Sequence, residues 1–200
     1  MKVTKTSMEG VLMFEPMVFG DERGFFYESF NQRDFLKEVG LDIAFVQDNH
    51  SHSVQGVLRG LHYQVKQPQG KLVSVIRGKI FDVVVDLRQG SSTFGKWESF
   101  ELSEENRKQL WIPSGFAHGF LTLSKSADVL YKTTDYYAPE YERTILWNDP
   151  EIAIQWPEGC EVKLSEKDRV GMLLEEAKRE MECFEVENFD FDNANSEKVK

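Results

Sequence analysis

The spacing of β-forming runs constrains this chain more than any other feature. Across residues 1–156, short stretches rich in branched and aromatic side chains are punctuated by glycine. That pattern specifies an all-β sandwich or barrel, because a doubly wound sheet would show strands alternating with helices. The clearest hairpin reads LVSVI, then Arg77-Gly78-Lys79, then IFDVVVDL. In its second strand Phe81, Val83, Val85 and Leu87 share one face, while Asp82, Val84 and Asp86 share the other. Two helices are expected beside the strands. One covers residues 31–39, with Asn31 as cap and Gly40 as stop. The other begins at Ser165, where SEKD fits the S-x-x-[DE] pattern, and continues through Leu173 and Leu174 towards Glu180.

A chain of 200 residues that is 40% hydrophobic can bury one sizeable core. The expected division is a β domain over residues 1–174 and an acidic tail over 175–200. The tail, from Glu175 onward, carries nine Asp/Glu against four Lys/Arg, a net of −5 out of the formal −10. Such a segment reads as a frayed helix leading into a disordered end, with partner packing through Phe184, Phe189 and Phe191 as the alternative. The negative charge and the absence of a basic cluster argue against nucleic acid as a partner. No membrane span or secretory signal is expected, because the most apolar early stretch, residues 11–20, is interrupted by Glu15 and Pro16. A cytoplasmic protein follows. Cys160 and Cys183 suit neither a disulfide framework nor a zinc site and read as reduced thiols.

The chemistry-bearing residues lie within the β runs. LRGLHYQ places Arg59 and His62 around Gly60, and strand alternation would send them to opposite faces unless Gly60 marks a bulge that re-aims one of them. Lys71 opens the next strand, and its phase is that of Val73 and Val75. Tyr131 and Tyr137 belong to YKTTDYY, and His118 closes Pro113-Ser114-Gly115-Phe116-Ala117-His118. Base, ammonium and phenol are the groups that enolate chemistry needs: one takes a proton from carbon, one holds the oxyanion, one returns a proton. The P-x-G-x-x-H spacing resembles the second half of the signature of cupin-type jelly rolls. Metal-binding members carry H-x-H and a glutamate in the first half, where this chain reads His62-Tyr63-Gln64 with no glutamate before Gly70. No metal is therefore expected. Asp168 has two readings, as the third residue of the helix cap begun by Ser165 or as the carboxylate that orients His62.

Together these motifs resemble the dTDP-4-dehydrorhamnose 3,5-epimerase family. The likeness rests on DERGFFYES, QDNHS, GVLRGLHYQ, QGKLV, VVVDLR, STFGKW, WIPSGFAHGF, YKTTDYY, WNDP and LSEKD, in that order. It implies a cupin-type jelly roll with short peripheral helices, acting as a homodimer on a dTDP-4-keto-6-deoxy sugar without a cofactor. It further implies His62 as base with Asp168, Tyr131 as acid, Lys71 as enolate stabiliser and Arg59 on the diphosphate. Arg23, Glu28, Gln47, Asn49, His118, Glu142 and Lys167 correspond to substrate-contacting positions, and Tyr137 to the aromatic that stacks on thymine. Strand exchange would bring Arg23 and Glu28 from the partner subunit. Relatives that invert one centre or shift the ketone, a non-catalytic sugar-nucleotide sensor and a metal-dependent oxygenase are the competing readings.

Overall fold

Alternation of inward and outward side chains organises the whole architecture. The computed structural model describes residues 1–159, 161–180 and 182–185. The first strands are β1 (Lys2–Lys5), β2 (Leu12–Glu15), β3 (Phe19–Asp21), β4 (Gly24–Phe26) and, after helix α1 (Gln32–Val39), β5 (Gln47–Val54). Next come β6 (Leu58–Gln64), β7 (Lys71–Arg77), β8 (Lys79–Asp86), β9 (Arg88–Gln89), β10 (Trp97–Ser103) and β11 (Gln109–Ile112). The chain continues through β12 (Phe116–Thr122), β13 (Ser126–Thr133), β14 (Glu142–Thr144), helices α2 (Glu166–Arg169) and α3 (Leu174–Arg179), and β15 (Phe184–Glu185). Among the described residues, a six-stranded sheet ordered β1-β2-β11-β7-β13-β5 faces a five-stranded sheet ordered β10-β8-β12-β6-β14. This is the cupin-type jelly roll that the sequence implied.

The two sheets enclose a core that includes Met13, Val73, Val75, Ile80, Val84, Leu110, Phe116, Phe120 and Val129. Odd positions of β8, among them Val83 and Val85, point the other way and pack under Ile152, Ile154, Leu174 and Ala177. Both faces of the five-stranded sheet are therefore covered. Helix α1 has the expected limits: the Asn31 side chain accepts from the Arg33 and Asp34 N–H groups, and Gly40 closes it at φ 77°. Phe35 of α1 is inserted against Phe14 and Trp111 on the outer face of the six-stranded sheet.

Three expectations change. The runs around Arg77-Gly78-Lys79 do not form a hairpin, because β7 pairs with β11 and β13 while β8 pairs with β10 and β12. Each strand has both edges occupied, so the turn is a corner from one sheet to the other. Gly78 sits there at φ +76°, and a Cβ would collide with the Ser126 carbonyl. The second helix is broken into α2 and α3, because Met172 between them pairs through its backbone with Thr144 and Leu146. The approach leaves no room for a side chain at Gly171, whose Cβ would lie 2.7 Å from the Leu146 nitrogen. Finally, the chain after Glu175 does not fray at once: Phe184 is buried, its strand β15 runs parallel to β9, and its ring meets Tyr63. Cys160, Phe189 and Phe191 lie outside the described residues.

Candidate active site

Polar residues replace apolar ones where the inter-sheet core opens towards one end of the sandwich, and there they line a cavity of about 340 Å³. Lys71 continues the inward row of Val73 and Val75, Tyr131 continues that of Ala127 and Val129, and His118 lies between Phe116 and Phe120. Gln47, Asn49, Arg59, His62, Tyr137, Glu142 and Lys167, all expected at the site, share the lining.

The bulge inferred at Gly60 explains how one strand contributes two of these residues. His62 pairs with His118 while Arg59 pairs with Phe120, so three steps along β6 match two along β12. The extra residue puts Arg59 and His62 in the same cavity, with Leu61 and Tyr63 in the opposite core. Gly60 has φ +117°, and a Cβ on it would lie 2.5 Å from the Gly119 Cα.

Asp168 satisfies both of its readings at once. Its N–H is capped by the Ser165 hydroxyl, while its Oδ1 lies 2.7 Å from His62 Nε2 and also accepts from the Gly60 N–H. Burial pushes its carboxyl up, but the His62 and Ser165 hydrogen bonds, the His62 ring and the Gly60 N–H together outweigh that and hold it at about 2. A carboxylate accepts only, so neutral His62 must carry its proton on Nε2, and Nδ1 is left as the basic nitrogen.

Lys71 is 8% exposed, and among the described residues its ammonium has no hydrogen bond or ion pair. Burial lowers its pKa to about 8 against the pull of Glu142 and Asp82. Tyr131 is raised by burial above the ordinary phenol value despite nearby Arg59, so it holds its proton at neutral pH. Glu142 is pushed up by burial and pulled down further by Lys167 and by the Tyr137 hydroxyl, which donates to it at 2.8 Å. Arg59 is steadied by Ser53 Oγ at 3.0 Å and the His52 carbonyl.

Arg23 and Glu28 are not brought into this cavity. Both are exposed, and Arg23 caps the β3–β4 hairpin in a bond to Asp21. Conversely, sequence reasoning missed Asp82, Gln64 and Gln69. Asp82 is fully buried, and both of its oxygens, at 2.9 and 3.0 Å, accept from His118 Nε2. The alternation placed Asp82 with Val84 and Asp86 on the more polar face of β8, and nothing in the strand itself said that this face turns into the inter-sheet core beside Val84. The remaining two line the cavity directly. Among the described residues no group of three His, Cys, Asp or Glu could hold a metal ion, and both cavity histidines are bonded to carboxylates. No helix is long and apolar enough to cross a membrane.

A jelly roll with a carboxylate-backed imidazole, a buried ammonium and a half-buried phenol around one cavity has the groups that an isomerase moving protons at carbon would need. Comparisons with known proteins narrow the class. The family profile described as dTDP-4-dehydrorhamnose 3,5-epimerase matches residues 5–176. The Pseudomonas aeruginosa protein named dTDP-4-dehydrorhamnose 3,5-epimerase is 58% identical over 184 residues, covering 92% of this chain and 99% of the relative. A crystal structure of dTDP-6-deoxy-D-glucose-3,5-epimerase from Legionella pneumophila, in complex with dTDP-4-keto-L-rhamnose, is similar at TM-score 0.89 and 52% identity, covering 92% of this chain and 97% of that one. A 3′-monoepimerase from Streptomyces bikiniensis, in complex with dTDP-quinovose, is similar at TM-score 0.87 and 34% identity, covering 91% and 92% of the two chains. The chain belongs to the dTDP-4-dehydrorhamnose 3,5-epimerase family.

Proposed function

We propose that this protein inverts C3 and C5 of dTDP-4-keto-6-deoxy-D-glucose, giving dTDP-4-keto-L-rhamnose for dTDP-L-rhamnose synthesis, by enolate chemistry without a metal or other cofactor. The observation that carries the reading is the His62–Asp168 pair at one cavity with a buried Lys71, unpaired among the described residues, and a protonated Tyr131. The hydrogens on C3 and C5 are acidic because both carbons flank the C4 ketone. His62 Nδ1 removes either one, and the charge moves to the same ketone oxygen, so one fixed cation, Lys71, serves both steps. Inversion requires that a proton arrive on the face opposite to the base. Tyr131 supplies it and is reprotonated from solvent, while His62 releases to solvent the proton it took. Acid–base catalysis of this kind contributes about 10²–10⁴-fold.

Arg59 holds the diphosphate, Tyr137 stacks on the thymine, and Gln47, Asn49, His118, Glu142 and Lys167 contact the substrate. Arg23 and Glu28 reach the site from a second copy of the chain by strand exchange in a homodimer. This fits the β3–β4 hairpin, which leaves Phe25 60% and Phe26 71% exposed on one protomer. The enzyme acts in the cytoplasm.

The test is mass spectrometry of the 4-keto sugar nucleotide incubated with the protein in D₂O, with and without EDTA. Two enzyme-dependent deuterons, insensitive to chelator, are expected. One deuteron would assign the protein to single-centre or ketone-shifting chemistry, and none would make it a binding module. Loss of exchange with EDTA would overturn the metal-free mechanism.

A further inference from the structure

Directly after β13 the chain passes through residues 134–138, which present Tyr137 at the mouth of the cavity. Those residues are in neither main sheet, so their backbone polar groups need other partners. Glutamine side chains supply several of them in succession. Gln69 Nε2 donates to the Asp135 carbonyl at 2.8 Å. Gln64 Nε2 donates to the Tyr136 carbonyl at 3.2 Å and to the Gln67 carbonyl at 2.7 Å, while its Oε1 accepts from the Ala138 N–H at 2.9 Å. Between them, the Tyr137 N–H donates to Gln47 Oε1 at 3.0 Å.

Gln64 is the centre of this arrangement. It is 3% exposed, near the end of β6, and it grips the backbone on both sides of Tyr137. Its orientation is fixed by chemistry: turned over, its oxygen would face two carbonyls and its NH₂ would face an N–H. Both amide hydrogens are engaged, so although Gln64 lines the cavity it has no donor to offer a ligand.

We infer that Gln64 is a positioning residue for nucleotide binding, holding residues 136–138 so that the Tyr137 ring is pre-placed against the base. The inference rests on the proposal that Tyr137 stacks on thymine. Base–aromatic stacking depends on ring placement, and a ring on an unsupported segment must be ordered when the ligand binds. Gln64→Met keeps the length and volume of the side chain and removes all three bonds.

The experiment is calorimetric titration with dTDP of wild type, Gln64→Met, Tyr137→Ala and the double variant, together with deuterium exchange of the keto sugar at saturation. Gln64→Met is expected to weaken dTDP about tenfold and to lower the saturated exchange rate less than about threefold. Its effect on affinity is expected to vanish in the Tyr137→Ala background. An equal weakening in both backgrounds, or none in the wild-type background, would overturn the inference about Gln64 while leaving Tyr137 its role. Undiminished dTDP binding by Tyr137→Ala itself would overturn the stacking proposal, and the inference with it. Should Gln64→Met not fold, Gln69→Met removes the neighbouring bond and carries the same expectation.

Discussion

Lys71 is under two opposed demands. It shares the cavity with His62, His118, Glu142, Tyr131 and Arg59 and feels the charges of Glu142 and Asp82, yet among the described residues its ammonium has no hydrogen bond or ion pair. Burial of an unpaired cation destabilises the fold, and the lowering of its pKa from 10.5 to about 8 records that cost. Between those values the unfolded chain binds more protons than the folded one, so this residue makes stability rise with pH. Activity should move the other way, because deprotonated Lys71 cannot hold an enolate. The kcat/KM of the wild type is expected to fall as pH climbs through about 8. Lys71→Met should be nearly inactive and yet more stable than wild type at pH 7, by on the order of 1 kcal/mol, with the gain shrinking towards pH 10.5. Chemical denaturation at several pH values measures the second effect. A stability difference that stays constant with pH would show that Lys71 is not the titrating group.

At the scale of elements, the part of the site legible in the sequence was the part written in local pattern. The phase of β7 gave the direction of Lys71, and the cap begun by Ser165 gave the helix that carries Asp168. Strand alternation combined with Gly60 required the bulge that puts Arg59 beside His62. Information that depends on pairing partners was not legible. Arg77-Gly78-Lys79 has ordinary turn chemistry, and nothing within it says that both flanking strands have other neighbours. The break between α2 and α3 is dictated by Thr144 and Leu146, distant in sequence. Gln64 was visible only as a missing metal ligand, because its bonds go to a segment more than seventy positions away in the case of Tyr136. The bulge also gives a prediction. Gly60→Ala requires a side chain at φ +117° with its Cβ 2.5 Å from the Gly119 Cα. β6 and β12 must then separate at the point that aligns His62. A loss of stability of about 2–4 kcal/mol and loss of sugar-hydrogen exchange are expected. Retention of wild-type exchange would mean that the bulge does not set the placement of His62.

At the scale of the molecule, one protomer leaves the cavity without Arg23 and Glu28, and the rings of Phe25 and Phe26 on the β3–β4 hairpin largely exposed. The proposed strand exchange would answer both, and it has a consequence that no self-contained site shares. If Arg23 of one subunit serves the cavity that holds His62 of the other, a dimer of one His62→Ala subunit and one Arg23→Ala subunit contains one site with both defects and one with neither. Each homodimer has two defective sites. Co-expression of the two variants with different affinity tags, followed by tandem purification, isolates the mixed dimer. Its exchange rate is expected to be about half that of the wild-type dimer, or about a quarter in an unfractionated random mixture. A mixed dimer no more active than the average of its two parents would place Arg23 in the service of its own subunit's cavity or outside catalysis altogether. The same preparation separates the proposed contribution to binding from a contribution to folding. A hairpin required only for assembly would yield less mixed dimer, whereas a shared site yields a dimer with one competent cavity.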